Sequence, residues 1–596
     1  MSASPFSEAQ QYLWPTDSGQ YLSSTFGETR SAHFHAGLDI KTWGQEGYKV
    51  FASRDGILHR LLITERGYGK AIYLKHPDNT YTVYAHLQRF NDTFQHLADS
   101  IRLSDYSFEM DVEFDSLAIP VKQGDVIGYT GSSGIGPPHL HFEVRNSNQN
   151  AVNALSTNLE VKDTIPPVFS SLIVEPLTKK SRIEGNPYSR AIRPNKVNGV
   201  FDFGTIRITG ESGLAVNVYD QSNEVYNAYA VYSLALVHES DTLFYQELNS
   251  LSFSDSGEMF LDRIAPFGST NRGHQRLYSK DGHNNPFYLI EKPAAQILPA
   301  ESAKTYTIIA TDYFGNRSNA TIQIEKDGFD NSSSPKKLLP IYNWYWHEDW
   351  ASPDLQSTID LTSRKIGLPW KTNQQVIYRD SLLPINIARL FPSQNQTLLS
   401  SDNSVLIRFN EDTFFDTLSI GFTHKIVDGQ YQISIQPEMA ALKKNFQLQY
   451  YMGHAFKPGN KYRLFRKNNS KSGLSYVDSE LQGRTVYAYP DEFGEFVIIS
   501  DNTPPEISNF KIYRTDYGKW LASVDLKDEL TGIDSSSAKF TINGVHGIAE
   551  YDYEENLLIY YLPNFEPKQT NQVFISVKDK AGNIASFNTE EIRTGF

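Results

Sequence analysis

His139-Leu140-His141-Phe142-Glu143-Val144 is the stretch on which the reading of this chain turns. Side chains of an extended segment alternate between two faces. His139, His141 and Glu143 fall on one face; Leu140, Phe142 and Val144 fall on the other. The segment therefore reads as a strand with one apolar side and one side able to do chemistry. The same period runs through the residues before it. Val50 to Ile63 reads as a strand, a turn at Gly56 and a longer strand. Gly67-Tyr68-Gly69 is a turn, and the strands Ala71 to Leu74 and Tyr81 to Tyr84 flank another at Pro77-Asp78-Asn79. Val126 to Tyr129 leads into the glycine loop Gly131 to Gly134. The first 160 residues are thus expected to form a β domain.

With 596 residues the chain exceeds one core, and three to five domains are expected. Tyr and Phe number 35 each against 5 Met, a balance that favours half-buried strands over helices. The net charge of −14, with no long basic run, argues against nucleic acid as a partner. Cysteine is absent, which excludes disulfides, thiolate metal sites and a cysteine nucleophile. No apolar run reaches the ~18 residues that span a bilayer.

Beyond residue 160 a pattern recurs. Asp163-Thr164-Ile165-Pro166-Pro167 is echoed by Asp501-Asn502-Thr503-Pro504-Pro505. Each opens a β-rich segment that closes in Asp-x-x-Gly-Asn, at Asp312 to Asn316 and Asp579 to Asn583. A Pro-Pro pair suits an entry linker beside an edge strand, and Gly-Asn suits a hairpin turn. The paired motifs resemble bacterial immunoglobulin-like modules. Lys326 to Pro335 reads as a linker. The expected division is 1–160, 161–330, 331–500 and 501–596, all β-rich, with the second segment carrying insertions. Asp-x-x-Gly-Asn also raises calcium, but too few carboxylates cluster in sequence for a recognisable loop, so turn chemistry is the expected role.

Three blocks in the first domain carry metal-site chemistry: His35-Ala36-Gly37-Leu38-Asp39, Tyr84-Ala85-His86-Leu87 and His139-Leu140-His141. Catalytic zinc takes three ligands from histidine and carboxylate and keeps one position for water. These blocks can supply three ligands and leave two imidazoles for acid/base work. Gly37 argues against a helix joining His35 to Asp39. His139 and His141 face one site from one strand, with room for only one of them on the metal. Glu143 shares that face, as an acceptor orienting a histidine or as half of a surface ion pair. His76 is expected to be a packing residue, and Tyr342 to Trp346 a core patch rather than a carbohydrate platform.

Together the blocks resemble the lysostaphin/LytM-type zinc endopeptidases over roughly residues 12–146. Phe26 to Arg30, Gly67 to Gly69 and Val121 to Gly128 extend the likeness. The resemblance implies a duplicated-hybrid-motif β fold, zinc held by His35, Asp39 and His141, and a catalytic pair of His86 and His139. It implies hydrolysis of peptide bonds in peptidoglycan stems or cross-links. One imidazole takes the water's proton and the other steadies the oxyanion; His139 is the expected base, and the two roles are exchangeable. Two departures bear on groove access: a long connection from Leu87 to Val121, and a loop from Gly134 to His139 that is one residue short and carries Pro137. Substrate logic places the protein in the periplasm or cell envelope, with a signal or lipid anchor removed ahead of Met1-Ser2-Ala3-Ser4-Pro5-Phe6. The competing expectation is an autoinhibited or non-catalytic scaffold that meets envelope partners through its C-terminal β domains.

Overall fold

The computed structural model describes residues 11–30, 33–264, 273–280, 282–283, 285–328, 343–362, 370–371, 375–378, 381–400, 402–427, 430–438, 440–468 and 473–593. The architecture is mostly β. Two compact units are present: Met1–Phe26 with Ala36–Val161 and Ser500–Phe596, and Gly27–His35 with Lys162–Ile499.

Among the described residues the leading part of the first unit includes the strands β1 (Leu22–Ser24), β2 (Leu38–Lys41), β3 (Lys49–Phe51), β4 (Gly56–Ile63), β5 (Lys70–Lys75), β6 (Tyr81–Ala85), β7 (Leu87–Phe90), β8 (Met110–Glu113), β9 (Pro120–Val121), β10 (Val126–Thr130) and β11 (His139–Arg145). The main sheet runs β1-β2-β11-β6-β5-β4-β8, and a smaller one runs β3-β10-β7. The apolar alternation of β11 explains its central place. Leu140, Phe142 and Val144 are all fully buried, and Phe142 packs against Tyr84 of β6 with ring centroids 5.4 Å apart.

The long connection after β7 folds into a helix, α1 (Asp92–Asp105). Asn91 caps it, its side chain accepting from the Phe94 N–H at 2.8 Å. Tyr106 ends it in the left-handed conformation.

The last part of the same unit is a sheet of seven strands that begins at Glu506–Arg514 and ends at Ile584–Arg593. It packs on Phe540, Leu558, Tyr560 and Ile575. This module sits on the leading domain through buried charges. Arg102 of α1 donates to Glu550 at 2.6 Å, and Lys70 of β5 reaches the other oxygen at 3.1 Å. Burial alone would raise the Glu550 carboxyl, but Lys70 and Arg102 outweigh it and hold it down at about 2. The Tyr561 hydroxyl donates to Asp99 at 2.8 Å.

In the second unit, residues 162–328 form two sheets over a shared core that includes Phe169, Leu172, Ile208, Leu236 and Ile322. Residues 343–499 include two larger sheets around Ile407, Phe409, Ile433 and Phe496. Trp344 is buried and stacks on Trp346 at 5.4 Å, so this part of the aromatic cluster packs as expected; Tyr342 lies outside the described residues. The linker read from Lys326 is described only to Gly328. Among the described residues no helix is long and apolar enough to cross a membrane.

Candidate metal centre

Strand register assembles the site. β2 and β11 pair antiparallel with Asp39 opposite His141. On the other flank of β11, Ala85 of β6 lies opposite His141, which puts His86 one residue past the pair. His86 takes the left-handed conformation, φ 59°, uncommon for a residue with a side chain and held only where the surroundings enforce it. Its N–H donates to the Tyr68 carbonyl at 3.0 Å, and its Nδ1 faces the Ser133 carbonyl at 2.9 Å.

Two close approaches need glycine. A Cβ on Gly37 would sit 2.4 Å from the Phe142 carbonyl and 3.1 Å from the His141 ring. The glycine therefore lets the chain between His35 and Asp39 lie against β11. Gly134, φ 91°, packs on Gly67 and Gly69 so tightly that a Cβ would meet the Gly67 carbonyl at 2.3 Å. That interlock fixes the loop presenting Ser133 to His86.

The donor atoms of His35, Asp39 and His141 lie within 4.8 Å of one another, and all three residues are buried. His141 Nδ1 and Asp39 Oδ1 face each other at 2.9 Å, while His141 Nε2 donates to Glu143 at 2.8 Å. Glu143 thereby fixes the tautomer that turns Nδ1 toward Asp39. Glu143 is fully buried; it also accepts from Arg145 Nε at 2.6 Å and the Tyr68 hydroxyl at 2.5 Å. Burial would raise the Glu143 carboxyl, yet Arg145 and His141 hold it down at about 2. Burial likewise opposes charge on His141, but Asp39 and Glu143 raise it to about 9. Two imidazoles and one carboxylate, with an acceptor already fixing one ring, are a donor set that suits zinc.

His86 and His139 stand beside this cluster, ring centroids 4.5 Å apart. His139 Nδ1 faces the Pro137 carbonyl at 2.7 Å, and its Nε2 lies 3.6 Å from Asp39 Oδ1. A carbonyl on each Nδ1 makes Nε2 the basic nitrogen of both neutral rings. Burial, reinforced by His139 and His141, pulls His86 down to about 3 and keeps it neutral.

All five residues singled out in the sequence thus come together. Glu143 proves to be an orienting acceptor rather than half of a surface pair. Tyr68, read only as the middle of a turn, and Arg145, not singled out, complete its support. Arg145 was available as the next same-face position after 141 and 143. His76 is buried, its Nε2 3.0 Å from Thr82 Oγ1, as a packing residue should be.

A cleft of about 870 Å3 opens beside the Ser133 loop, lined by Gln88, Arg89, Tyr129 and Gly134 of the leading domain and by Tyr513 and Tyr517 of the C-terminal module. The Gly136 N–H, in the loop before His139, donates to Glu554 of that module at 3.1 Å.

Residues 33–97 match the family model described as Peptidase family M23. The chain is similar to the DD-carboxypeptidase/endopeptidase Mpg of Neisseria meningitidis serogroup B, 31% identical over 144 residues, which are 23% of this chain and 27% of that protein. It is similar to the murein hydrolase activator NlpD of Salmonella dublin, 31% identical over 144 residues, 24% of this chain and 30% of that protein. The chain therefore spans less than a third of the length of either relative. Among solved structures, the catalytic domain of the prophage-encoded M23 protein EnpA from Enterococcus faecalis aligns at 23% identity over 22% of this chain and 86% of that one, with a TM-score of 0.16.

Proposed function

We propose that the protein is a zinc endopeptidase that hydrolyses peptide bonds in bacterial peptidoglycan stems or cross-links, a reading supported by the match of residues 33–97 to Peptidase family M23. The observation that carries the reading is the convergence of the His35, Asp39 and His141 donor atoms beside the stacked pair of His86 and His139. In this reading the first three hold the metal and the last two act on the substrate. The named activities of the similar proteins support peptidoglycan as the substrate class, which in turn favours a periplasmic or envelope location.

Zinc at this position supplies a Lewis acid and brings the pKa of a bound water toward ~7. His139 Nε2 accepts the proton as the water attacks the scissile amide. Charge developing on the amide oxygen would be met by the metal, with the neutral His86 ring beside it positioning the substrate. The proton held by His139 then goes to the leaving amine. The two rings carry matching carbonyl contacts on Nδ1, so the assignment can be reversed. Glu143 keeps His141 in the ligating tautomer throughout. The cleft flanked by Arg89 and Tyr129 has in its lining Ser133, whose carbonyl contacts His86.

A second reading has one observation in its favour. Glu554 of the C-terminal module touches the loop that precedes His139, so that module is placed to restrain access or to answer a partner protein. The test is incubation of the purified whole chain with peptidoglycan, with and without a chelator, and detection of released peptides by mass spectrometry. Chelator-sensitive release supports the peptidase. Stoichiometric zinc without release, in the whole chain and in Glu554→Ala, supports the scaffold.

A further inference from the structure

Three aspartates of the second unit converge, with no histidine among them. Asp163 lies in the entry segment before the strand Val168–Pro176, Asp220 directly follows the strand Ser212–Tyr219, and Asp312 opens the turn between Lys304–Thr311 and Arg317–Lys326. One carboxylate oxygen from each lies within 4.8 Å of those of the other two. Asp163 Oδ1 accepts from the Ile165 N–H at 2.9 Å. Both oxygens of Asp312 accept from Asn316, from its N–H at 2.8 Å and its Nδ2 at 2.6 Å. Asp220 differs. It is 5% exposed, and its Oδ1 is buried with no hydrogen-bond partner. Burial first, then the charges of Asp163 and Asp312, push its carboxyl up. A buried carboxylate with an unpartnered oxygen, standing beside two other carboxylates, lacks the positive charge that would make the arrangement favourable.

We propose that Asp163, Asp220 and Asp312 form a calcium-binding site that fastens the entry segment to the turn at 312–316. Calcium takes six to eight oxygen ligands at 2.3–2.6 Å in a flexible geometry that carboxylates, carbonyls and waters together can fill, whereas magnesium demands a stricter octahedron. Thiolate or imidazole ligands are not part of this set, which disfavours zinc. The sequence offered Asp163 in the entry motif and Asp312 in the Asp-x-x-Gly-Asn turn. Asp220, in no motif, supplies the third carboxylate.

The C-terminal module provides an internal contrast. Asp501, Asp528 and Asp579 also converge, and Asn583 repeats the bonds of Asn316 to its own aspartate, Asp579. There, however, Thr531 Oγ1 donates to Asp501 Oδ2 at 2.6 Å, and the N–H of Gly532 donates to Asp528 Oδ2 at 2.7 Å. Those carboxylates already have donors, and the proposal stops at the first cluster.

The experiment uses the whole chain, freed of divalent ions, with calcium titrated by calorimetry and followed by thermal unfolding. The unmodified chain should bind calcium and unfold at a higher temperature in its presence. Asp220→Asn should bind at least tenfold more weakly and lose the thermal shift. In chelator it should unfold no lower than the unmodified chain, because the amide keeps the shape and removes a repelling charge. Asp528→Asn should keep the calcium response. Terbium luminescence on the unmodified chain, displaced by calcium and not by equal magnesium, gives a reading independent of any variant's folding. Absence of binding up to about 1 mM calcium, the weak end for extracellular modules, overturns the proposal, as does an undiminished calcium response in a folded Asp220→Asn protein. Neither result touches the zinc site, whose test reads peptide release.

Discussion

Glu143 sets the chemistry of its neighbour two positions back. Its carboxylate accepts a hydrogen bond from Nε2 of His141, and Arg145 and Tyr68 keep it in place. Glu143→Gln preserves the shape but gives up the charge, and an acceptor shared with a metal-binding imidazole is worth roughly 10–100-fold in metal affinity. Competition against a chromophoric chelator should show a loss of that size; unchanged affinity would remove Glu143 from the site's working parts. His141→Ala should lose zinc altogether, whereas His86→Ala and His139→Ala should retain it and lose turnover, as judged by metal analysis beside peptide release. His76 gives a pH signature of a different kind. Burial pulls it down to about 4, against about 6.5 in the unfolded chain. Between these values the unfolded state binds the extra proton, so stability contributed by the neutral ring is full above about 6.5 and falls away as pH drops toward 4. The span corresponds to about 3 kcal/mol, and His76→Gln should flatten the acid limb of the melting curve measured across that range. At this scale the sequence was informative where residues sit in short blocks. The five site residues lie in three such blocks, and Arg145 follows from strand alternation. Asp220 did not, because its partners come from distant points of the chain and no local pattern marks it.

Strands were more legible than the helix, and for a physical reason. β11 alternates cleanly, and its register with β2 is what brings Asp39 to His141. α1 buries Phe94 and Ala98 but also Asp99 and Arg102 on the same side, so charge interrupts the apolar stripe by which a helix is recognised. Its cap at Asn91 was the remaining sign, and it lay in a stretch noticed only for its length. The turn before β2 is where an element-level change should act most strongly on the site. A Cβ at Gly37 would meet backbone, the Phe142 carbonyl at 2.4 Å, and backbone cannot rotate aside. Gly37→Ala should push β2 from β11 and cost about 1–3 kcal/mol, the usual range for overpacking. Urea unfolding measures that cost, and zinc analysis of the folded fraction should show weakened retention. A variant with unchanged stability and full zinc would show that the close approach does not hold the site together.

At the scale of the whole molecule, the last β module rests on the first domain through charges that no sequence pattern connects. Arg102 and Glu550 are 448 positions apart, and each taken alone reads as an ordinary surface residue. The Arg102 side chain is fully buried and pairs with a carboxylate held at about 2. Glu550→Ala would leave a guanidinium in a dry interface with its partner gone, a loss of about 3–5 kcal/mol for a buried pair. Urea unfolding of the whole chain should register it. Replacing Arg102 and Glu550 together by methionine should recover part of the loss, because the packed apolar pair avoids the desolvation of those two charges while Lys70, partly exposed, turns to water. The functional consequence separates two roles for the module. Tyr513 and Tyr517 line one side of the cleft, and Glu554 holds the loop ahead of His139. If the module is a wall of the substrate groove, Glu550→Ala should raise KM for peptidoglycan peptides with kcat little changed, since the groove loosens while the metal and the two imidazoles stay put. If it restrains the loop, kcat should rise, and the double methionine variant should bring it back down as the seating is restored. Steady-state kinetics on the three chains distinguishes these outcomes, and identical KM and kcat in all three would mean that the module's seating has no bearing on the peptidase site.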